Sequence, residues 1–221
     1  MERKVKILPT LACADYLNLA SQIMVLDSYH VDSYHIDIMD GNFVPNYCLN
    51  WDYVAQLRAF TKTEIDVHLM VENVERDIVR GLTTGIDSLA FHIESDVDID
   101  AMLRIIRDSH VKAGLAISPE TPIENLNPYL SALDYVIIMG VKPGFSGQQF
   151  KVQTYERISD MKCIRDKQNL GFEIWVDGGI DFENGRECIE DGADGLVAGA
   201  LCIFRKEKSL EAMTEKFLST L

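Results

Sequence analysis

What most constrains this chain is its alternation. Strand-like and helix-like runs follow one another from end to end, with no long linker, low-complexity tract or charge block between them. The strand-like runs are Lys6–Leu11, Ser33–Ile38, Ile65–Met70, Ser88–Ile93, Lys112–Ile117, Tyr135–Met139, Phe172–Val176 and Gly195–Ala198. They are rich in β-branched residues and carry few polar ones, as strands covered on both faces do. Helical spacing marks Leu17–Ser28, Trp51–Phe60, Val74–Thr83, Ile99–Ser109, a short stretch near Ile123–Leu130, Tyr155–Lys167, Glu183–Asp191 and Leu210–Leu218. Gly85 is placed to stop the third helix. Eight units in 221 residues is about 28 residues each, close to what a closed barrel needs. The expected fold is α/β, a single (β/α)8 TIM barrel over residues 1–221. An open doubly wound sheet is the alternative. Even units, with polar residues ending many different strands, favour closure.

In such barrels the chemistry sits at the C-terminal ends of the strands. The second strand runs into its loop as His35-Ile36-Asp37-Ile38-Met39-Asp40-Gly41. Residues two apart on a strand share a face, so His35 and Asp37 point the same way, with Met39 following. An imidazole and a carboxylate on one face of an apolar strand are costly unless something pairs with them. Two other strand ends supply matching groups, His68 in Asp66-Val67-His68-Leu69-Met70 and Asp177 in Glu173-Ile174-Trp175-Val176-Asp177-Gly178-Gly179. Converged, His35, Asp37, His68 and Asp177 suit one divalent ion: zinc, iron(II), manganese or cobalt. Alone, each has a simpler reading, a barrel-lining histidine bonded to a carbonyl or a helix-capping aspartate. Four at strand ends shift the reading towards function. The second and seventh strands lie three steps apart through the eighth and first, so their carboxylates can face each other across a substrate. His92 reads as a satisfied barrel-mouth histidine rather than a fifth ligand, and His30 and His110, at helix ends, carry no assigned function. Met39, Met70 and Met139 all end strands; they are core filler or an apolar wall against a reactive intermediate.

Gly178-Gly179 follows the seventh strand and Gly199-Ala200 the eighth, where barrels often cradle phosphate on backbone N–H groups. The loop Pro143-Gly144-Phe145-Ser146-Gly147-Gln148 has flexible points on both sides of an aromatic and could close as a lid; a solvated turn is the alternative. A net charge of −14 argues against nucleic acid as a partner. It also means that an anionic ligand must be met by local donors such as backbone N–H groups. No run of 18 apolar residues predicts a membrane span. Met1–Lys6 has no apolar h-region, so no signal peptide is expected. Five cysteines without CxxC spacing suit reduced thiols in a cytoplasmic protein.

Several segments together resemble the ribulose-phosphate 3-epimerase family. They are Pro9–Asp15 (PTLACAD), His35–Asn46 (HIDIMDGNFVPN), His68–Glu72 (HLMVE), Phe91–Glu94 (FHIE), Met139–Phe150 (MGVKPGFSGQQF), Val176–Ile180 (VDGGI) and Gly199–Phe204 (GALCIF). The resemblance runs from Ile7 to Phe204. It implies a barrel of the ribulose-phosphate-binding type, one divalent metal, and epimerisation at C3 of a phosphorylated ketose. His35, Asp37, His68 and Asp177 match the family's metal ligands, and Asp37 and Asp177 its acid–base pair. The substrate would then lie against Thr10, Met39, Met70, Met139, Gly144, Phe145, Ser146 and Gly147, with its phosphate on Gly178, Gly179, Gly199 and Ala200. The expected assembly is a homo-oligomer, a dimer or hexamer.

Five positions depart from the family pattern. Thr10 stands for Ser, Gly140 for Thr, Lys142 for a residue that is often acidic, Ser146 for Gly and Ala200 for Ser. Leu26-Asp27-Ser28 with Tyr34–Ile38 also resembles the allulose-6-phosphate 3-epimerase branch, whereas Gly179-Ile180 looks like the ribulose-phosphate branch. The expected reaction is therefore ribulose 5-phosphate to xylulose 5-phosphate, with allulose 6-phosphate to fructose 6-phosphate as the alternative. Each would proceed by two-base proton transfer through an enediolate. A metal-independent phosphate-binding barrel enzyme and a non-catalytic sugar-phosphate-binding barrel are the readings outside this class.

Overall fold

The computed structural model describes residues 5–221, so the Met1–Lys4 part of the N-terminal reading lies outside the described residues. Eight strands form the ring: β1 (Lys6–Pro9), β2 (Ser33–Asp40), β3 (Glu64–Met70), β4 (Ser88–His92), β5 (Lys112–Ile117), β6 (Tyr135–Met139), β7 (Glu173–Asp177) and β8 (Gly195–Ala198). Each pairs in parallel with the next from β2 to β8, and β8 pairs in parallel with β1. The ring closes where Thr10 bridges His35 and where the Asp32 N–H donates to the Ile7 carbonyl at 3.1 Å. Around it lie α1 (Leu19–Ser28), α2 (Trp51–Phe60), α3 (Val74–Gly81), α4 (Ile99–Asp108), α5 (Gln153–Gln168), α6 (Asn184–Asp191) and α7 (Leu210–Thr220). The closed α/β barrel expected from the alternation is the fold.

The differences have local causes. The fifth crossover is two 3₁₀ turns, Ile123–Leu126 and Leu130–Ala132, rather than one short helix. Pro128 falls between them, and it has no N–H to donate to a continuing helix. α1 starts at Leu19 rather than Leu17. Asp15 accepts from the Leu17 N–H at 3.0 Å and from Asn18 Nδ2 at 2.7 Å, which holds the chain in a turn just before the helix. β1 stops at Pro9 because Thr10 turns to cap a 3₁₀ turn at Leu11–Cys13. An unexpected two-residue strand, Tyr47–Cys48, pairs antiparallel with Met39–Asp40 at the mouth.

The period of two along each strand sorts side chains between two cores. Tyr34, Ile36 and Ile38 of β2, Ile65, Val67 and Leu69 of β3, and Ile174 and Val176 of β7 face outward into the layer beneath the helices. Leu8, Ala90, Ala116, Tyr135, Ile137, Met139, Trp175 and Val197 fill the barrel interior. The polar residues of the same strands alternate with the outward set, so His35, Asp37, Asp66, His68, Ser88 and His92 belong to the inward rows. All six are buried. A one-residue slip in register would swap these groups with the aliphatic layer, so burial of the outer face fixes which groups reach the interior.

Candidate functional site

The inward rows of β2, β3 and β7 bring His35, Asp37, His68 and Asp177 together at the C-terminal end of the barrel. One ligand-type atom from each lies within 4.8 Å of the others. His35 Nε2 is 3.5 Å from Asp37 Oδ1 and 3.8 Å from Asp177 Oδ2. His68 Nδ1 is 3.6 Å from Asp37 Oδ1 and 3.4 Å from Asp177 Oδ2. Both nitrogens are buried and have no hydrogen-bond partner among the described residues. Two orphaned nitrogens facing two carboxylate oxygens would be a costly arrangement on their own. A tetrahedral divalent ion with bonds near 2.1 Å separates its ligand atoms by about 3.4 Å, so the set fits such an ion.

Each imidazole is held from behind, in a different way. His35 Nδ1 meets Asp66 Oδ2 at 2.7 Å. Asp66 is wholly buried, and its other oxygen accepts from Ser88 Oγ at 2.7 Å and Tyr135 Oη at 2.5 Å. This is the carboxylate–histidine brace common behind metal ligands. His68 has no carboxylate of its own. Its Nε2 meets His92 Nε2 at 3.0 Å, and His92 Nδ1 meets Glu94 Oε2 at 3.0 Å. Asp37 is fixed through its second oxygen, Oδ2, which accepts from Thr10 Oγ1 at 2.5 Å.

Charge follows this geometry. Burial alone would lower the pKa of His35, but the nearby Asp37 carboxylate and the hydrogen bond to Asp66 hold it well above 6.5. His68 is raised in the same sense, burial being outweighed by Asp177 and Asp37. Burial would raise Asp37, and the facing imidazoles instead hold it far below the usual carboxylate range. His92 goes the other way: burial, more than any neighbour, keeps its pKa below 6.5. The two carboxylates thus draw cationic charge to the point between them, as a proton or as a metal that takes its place.

Above this cluster opens a cleft of about 550 Å³, the open solvent at its mouth included. Asp37 and Asp177 reach it, and His35 and His68 lie beneath. Met39, Met70 and Met139 line its apolar wall, and Thr10 stands beside Asp37. Gly144, Phe145, Ser146 and Gly147 line it, as do Gly178, Gly179, Gly199 and Ala200. Every site residue expected from the sequence is therefore in this cleft or under it. The loop after β6 is braced: Gln148 Nε2 donates to the Lys142 and Phe145 carbonyls at 2.7 and 2.8 Å, and Asn46 Nδ2 to the Gly144 carbonyl at 2.6 Å. Phe145 itself stands half exposed at the rim.

The departures Gly140 and Lys142 acquire physical meaning here. A Cβ on Gly140 would sit 2.4 Å from the Gly178 carbonyl, so no larger residue fits while that loop keeps its path. Among the described residues, Lys142 is the one cation lining the cleft. Sequence reasoning missed Asp66, Tyr135 and Ser88, as well as Cys13, whose thiol lines the cleft and is pushed up by burial. Asp66 was findable, since it shares a strand face with His68. Tyr135 and Ser88 reach Asp66 from other strands and left no local signal.

The comparisons agree with this site. The model of the "Ribulose-phosphate 3 epimerase family" matches residues 6–204. The ribulose-phosphate 3-epimerase of Aquifex aeolicus is 34% identical over 211 residues, covering 96% of this chain and 94% of that protein. That of Treponema pallidum is 36% identical over 200 residues, covering 90% and 92%. Among solved structures, a mutant tryptophan synthase alpha-subunit from Pyrococcus furiosus superposes with a TM-score of 0.69 at 16% identity, over 100% of this chain and 99% of that one. At that identity the likeness speaks for the barrel alone. The two relatives and the family match over residues 6–204 carry the conclusion: this chain belongs to the ribulose-phosphate 3-epimerase family.

Proposed function

We propose that His35, Asp37, His68 and Asp177 hold one divalent metal, and that the chain interconverts D-ribulose 5-phosphate and D-xylulose 5-phosphate. The observation that carries this is the pair of buried, unpartnered nitrogens, His35 Nε2 and His68 Nδ1, aimed with two carboxylates at the floor of the cleft. Zinc, iron(II), manganese and cobalt all suit this donor set. When bound, the ion supplies Lewis-acid stabilisation of the negative charge that develops as C3 loses its proton.

The chain's own residues do the rest. Asp37 lies on β2 and Asp177 ends β7, and both line the cleft. One removes the C3 proton from its face, and the other delivers a proton to the opposite face, the roles exchanging with direction. Thr10 keeps Asp37 in one rotamer through their 2.5 Å bond. The three methionines keep water from the reacting carbon. The loops at Gly178-Gly179 and Gly199-Ala200 hold the phosphate by backbone N–H groups, and Phe145 closes over the substrate as part of a lid.

The ribulose reading is preferred over allulose 6-phosphate on two grounds. The Leu26–Ser28 segment lies on α1, outside the cleft, where Asp27 accepts from Tyr34, Thr61 and Thr63. The curated relatives compared carry the ribulose name. Five free cysteines support a reducing, cytoplasmic setting. Residues 1–221 are read as one domain, and the apolar groove of Ile23, Tyr53 and Phe60 between α1 and α2 supports a homo-oligomer, dimer or hexamer. The test is a coupled turnover comparison on metal-loaded protein. Ribulose 5-phosphate should be turned over far faster than allulose 6-phosphate or unphosphorylated ribulose, because remote binding energy supports the chemical step. Preference for the hexulose phosphate would overturn the substrate, and equal rates with and without phosphate would overturn the cradle.

A further inference from the structure

We propose that Glu94 is a positioning residue that decides which nitrogen of His68 is bare for a metal, acting through His92. The proposal rests on reading the four-residue cluster as a metal centre. The two imidazoles face each other Nε2 to Nε2 at 3.0 Å, with ring centroids 5.0 Å apart and planes within 24°. Only one of those nitrogens can carry the shared proton. If His92 carried it, His68 would hold its own proton on Nδ1, the atom that faces Asp37 and Asp177, and that atom would be no ligand.

Glu94 breaks the tie. A carboxylate only accepts, so His92 must present Nδ1–H across their 3.0 Å contact. The neutral His92 ring then has a bare Nε2, which accepts from His68 Nε2–H. His68 Nδ1 is left bare and aimed into the cluster. Glu94 is fixed by its other oxygen, Oε1, which accepts the Ser118 N–H at 2.9 Å and the Thr121 hydroxyl. Both His92 and His68 are wholly buried, and the Phe43 ring lies 5.0 Å from His92, so water has little access to rewrite the pattern. The carboxylate thus acts three links from the metal, where Asp66 acts on His35 directly.

The geometry makes a sharp demand of Glu94→Gln. The Ser118 N–H needs an acceptor, which pins the new amide oxygen on that side and turns the amide NH2 towards His92 Nδ1. The relay then runs backwards, although size and packing are unchanged. Zinc affinity, measured by chelator competition, should fall about 10- to 100-fold in Glu94→Gln. His92→Phe keeps the ring packing, removes the acceptor, and should weaken zinc in the same direction. Imidazole 15N spectra of the zinc-loaded wild type should place the single His92 proton on Nδ1. The proposal fails if that proton is on Nε2, or if both variants fold and bind zinc as tightly as wild type. A wild-type protein that takes up no zinc would instead sink the metal centre itself, so the two failures are distinguishable.

Discussion

The floor and the rim of the cleft are built from different materials. The floor is buried side chains on strands: two imidazoles and two carboxylates, with His35, His68 and Asp37 each braced by a second polar group. The rim is backbone on loops, at Gly178-Gly179, at Gly199-Ala200 and in the braced loop after β6. Strands flanked on both sides hold side-chain atoms to the tolerance that metal ligation and proton transfer require. A phosphate is larger and more forgiving, and it needs only converging N–H groups. A chain of net charge −14 can meet that need without a basic patch. The difference teaches that chemistry and anchoring can fail separately, and the predictions exploit this.

The largest effects belong to the floor. His68→Ala should lose the metal and most turnover, and Asp37→Asn or Asp177→Asn should cost about 10² to 10⁴-fold or more. Steady-state rates with metal analysis check this, and a His68→Ala protein with full metal and turnover would break the comparison at its base. Next comes the rim. Gly178 has φ +101°, and a Cβ there would sit 2.4 Å from Val141 Cγ2. Gly178→Ala should therefore raise KM for the phosphorylated sugar on the order of tenfold, at about 1–3 kcal/mol of backbone strain, while metal content stays unchanged. Loss of metal in that variant would mean that rim and floor are not separable.

Smaller effects concern protons. His35 and His68 have pKa values raised above 6.5, so they hold protons to a higher pH than free imidazole. A metal must displace those protons. Zinc affinity should be greatest above the raised pKa values and should start to fall while the pH is still above 6.5. A fall confined to well below pH 6.5 would contradict it. The smallest effect is at Glu94. Burial would raise its pKa, but hydrogen bonds from His92 and Thr121 outweigh it and lower the value from 4.5 to about 2. A depressed folded pKa adds stability that is present above pH 4.5 and lost as pH falls towards 2. Acid unfolding of metal-stripped Glu94→Gln should be less steep than wild type across that window; equal slopes would deny the carboxylate this role.

The same contrast explains what was legible in the sequence. His35-Ile36-Asp37 and Val176-Asp177 announce themselves because a polar group on the inward row of an apolar strand has no bland explanation when four recur at strand ends. The alternation also fixed the closed barrel. The 3₁₀ turns around Pro128 were masked by helical spacing at Ile123–Leu130, where the proline outweighs the periodicity. The braces behind the ligands were hidden for another reason. Asp66 meets Tyr135 from β3 and β6, with two strands between them in the ring, and His68 meets His92 from the neighbouring strand; no local pattern encodes either contact. His92 read as a satisfied histidine, and it is one, but what satisfies it is a metal-ligand candidate on one side and Glu94 on the other. The requirement for glycine at position 140 comes from the path of a loop far along the chain.

The central claim is that Asp37 and Asp177 work on opposite faces of C3. Turnover of ribulose 5-phosphate in deuterated water tests it most directly, with the product read by NMR or mass spectrometry. Two bases exchanging protons with solvent should leave deuterium at C3 of the xylulose 5-phosphate formed. One of the two Asn variants should still exchange the C3 proton of a single epimer while failing to convert it. Product that keeps the substrate hydrogen at C3, or near-normal turnover in both Asn variants, would contradict the account.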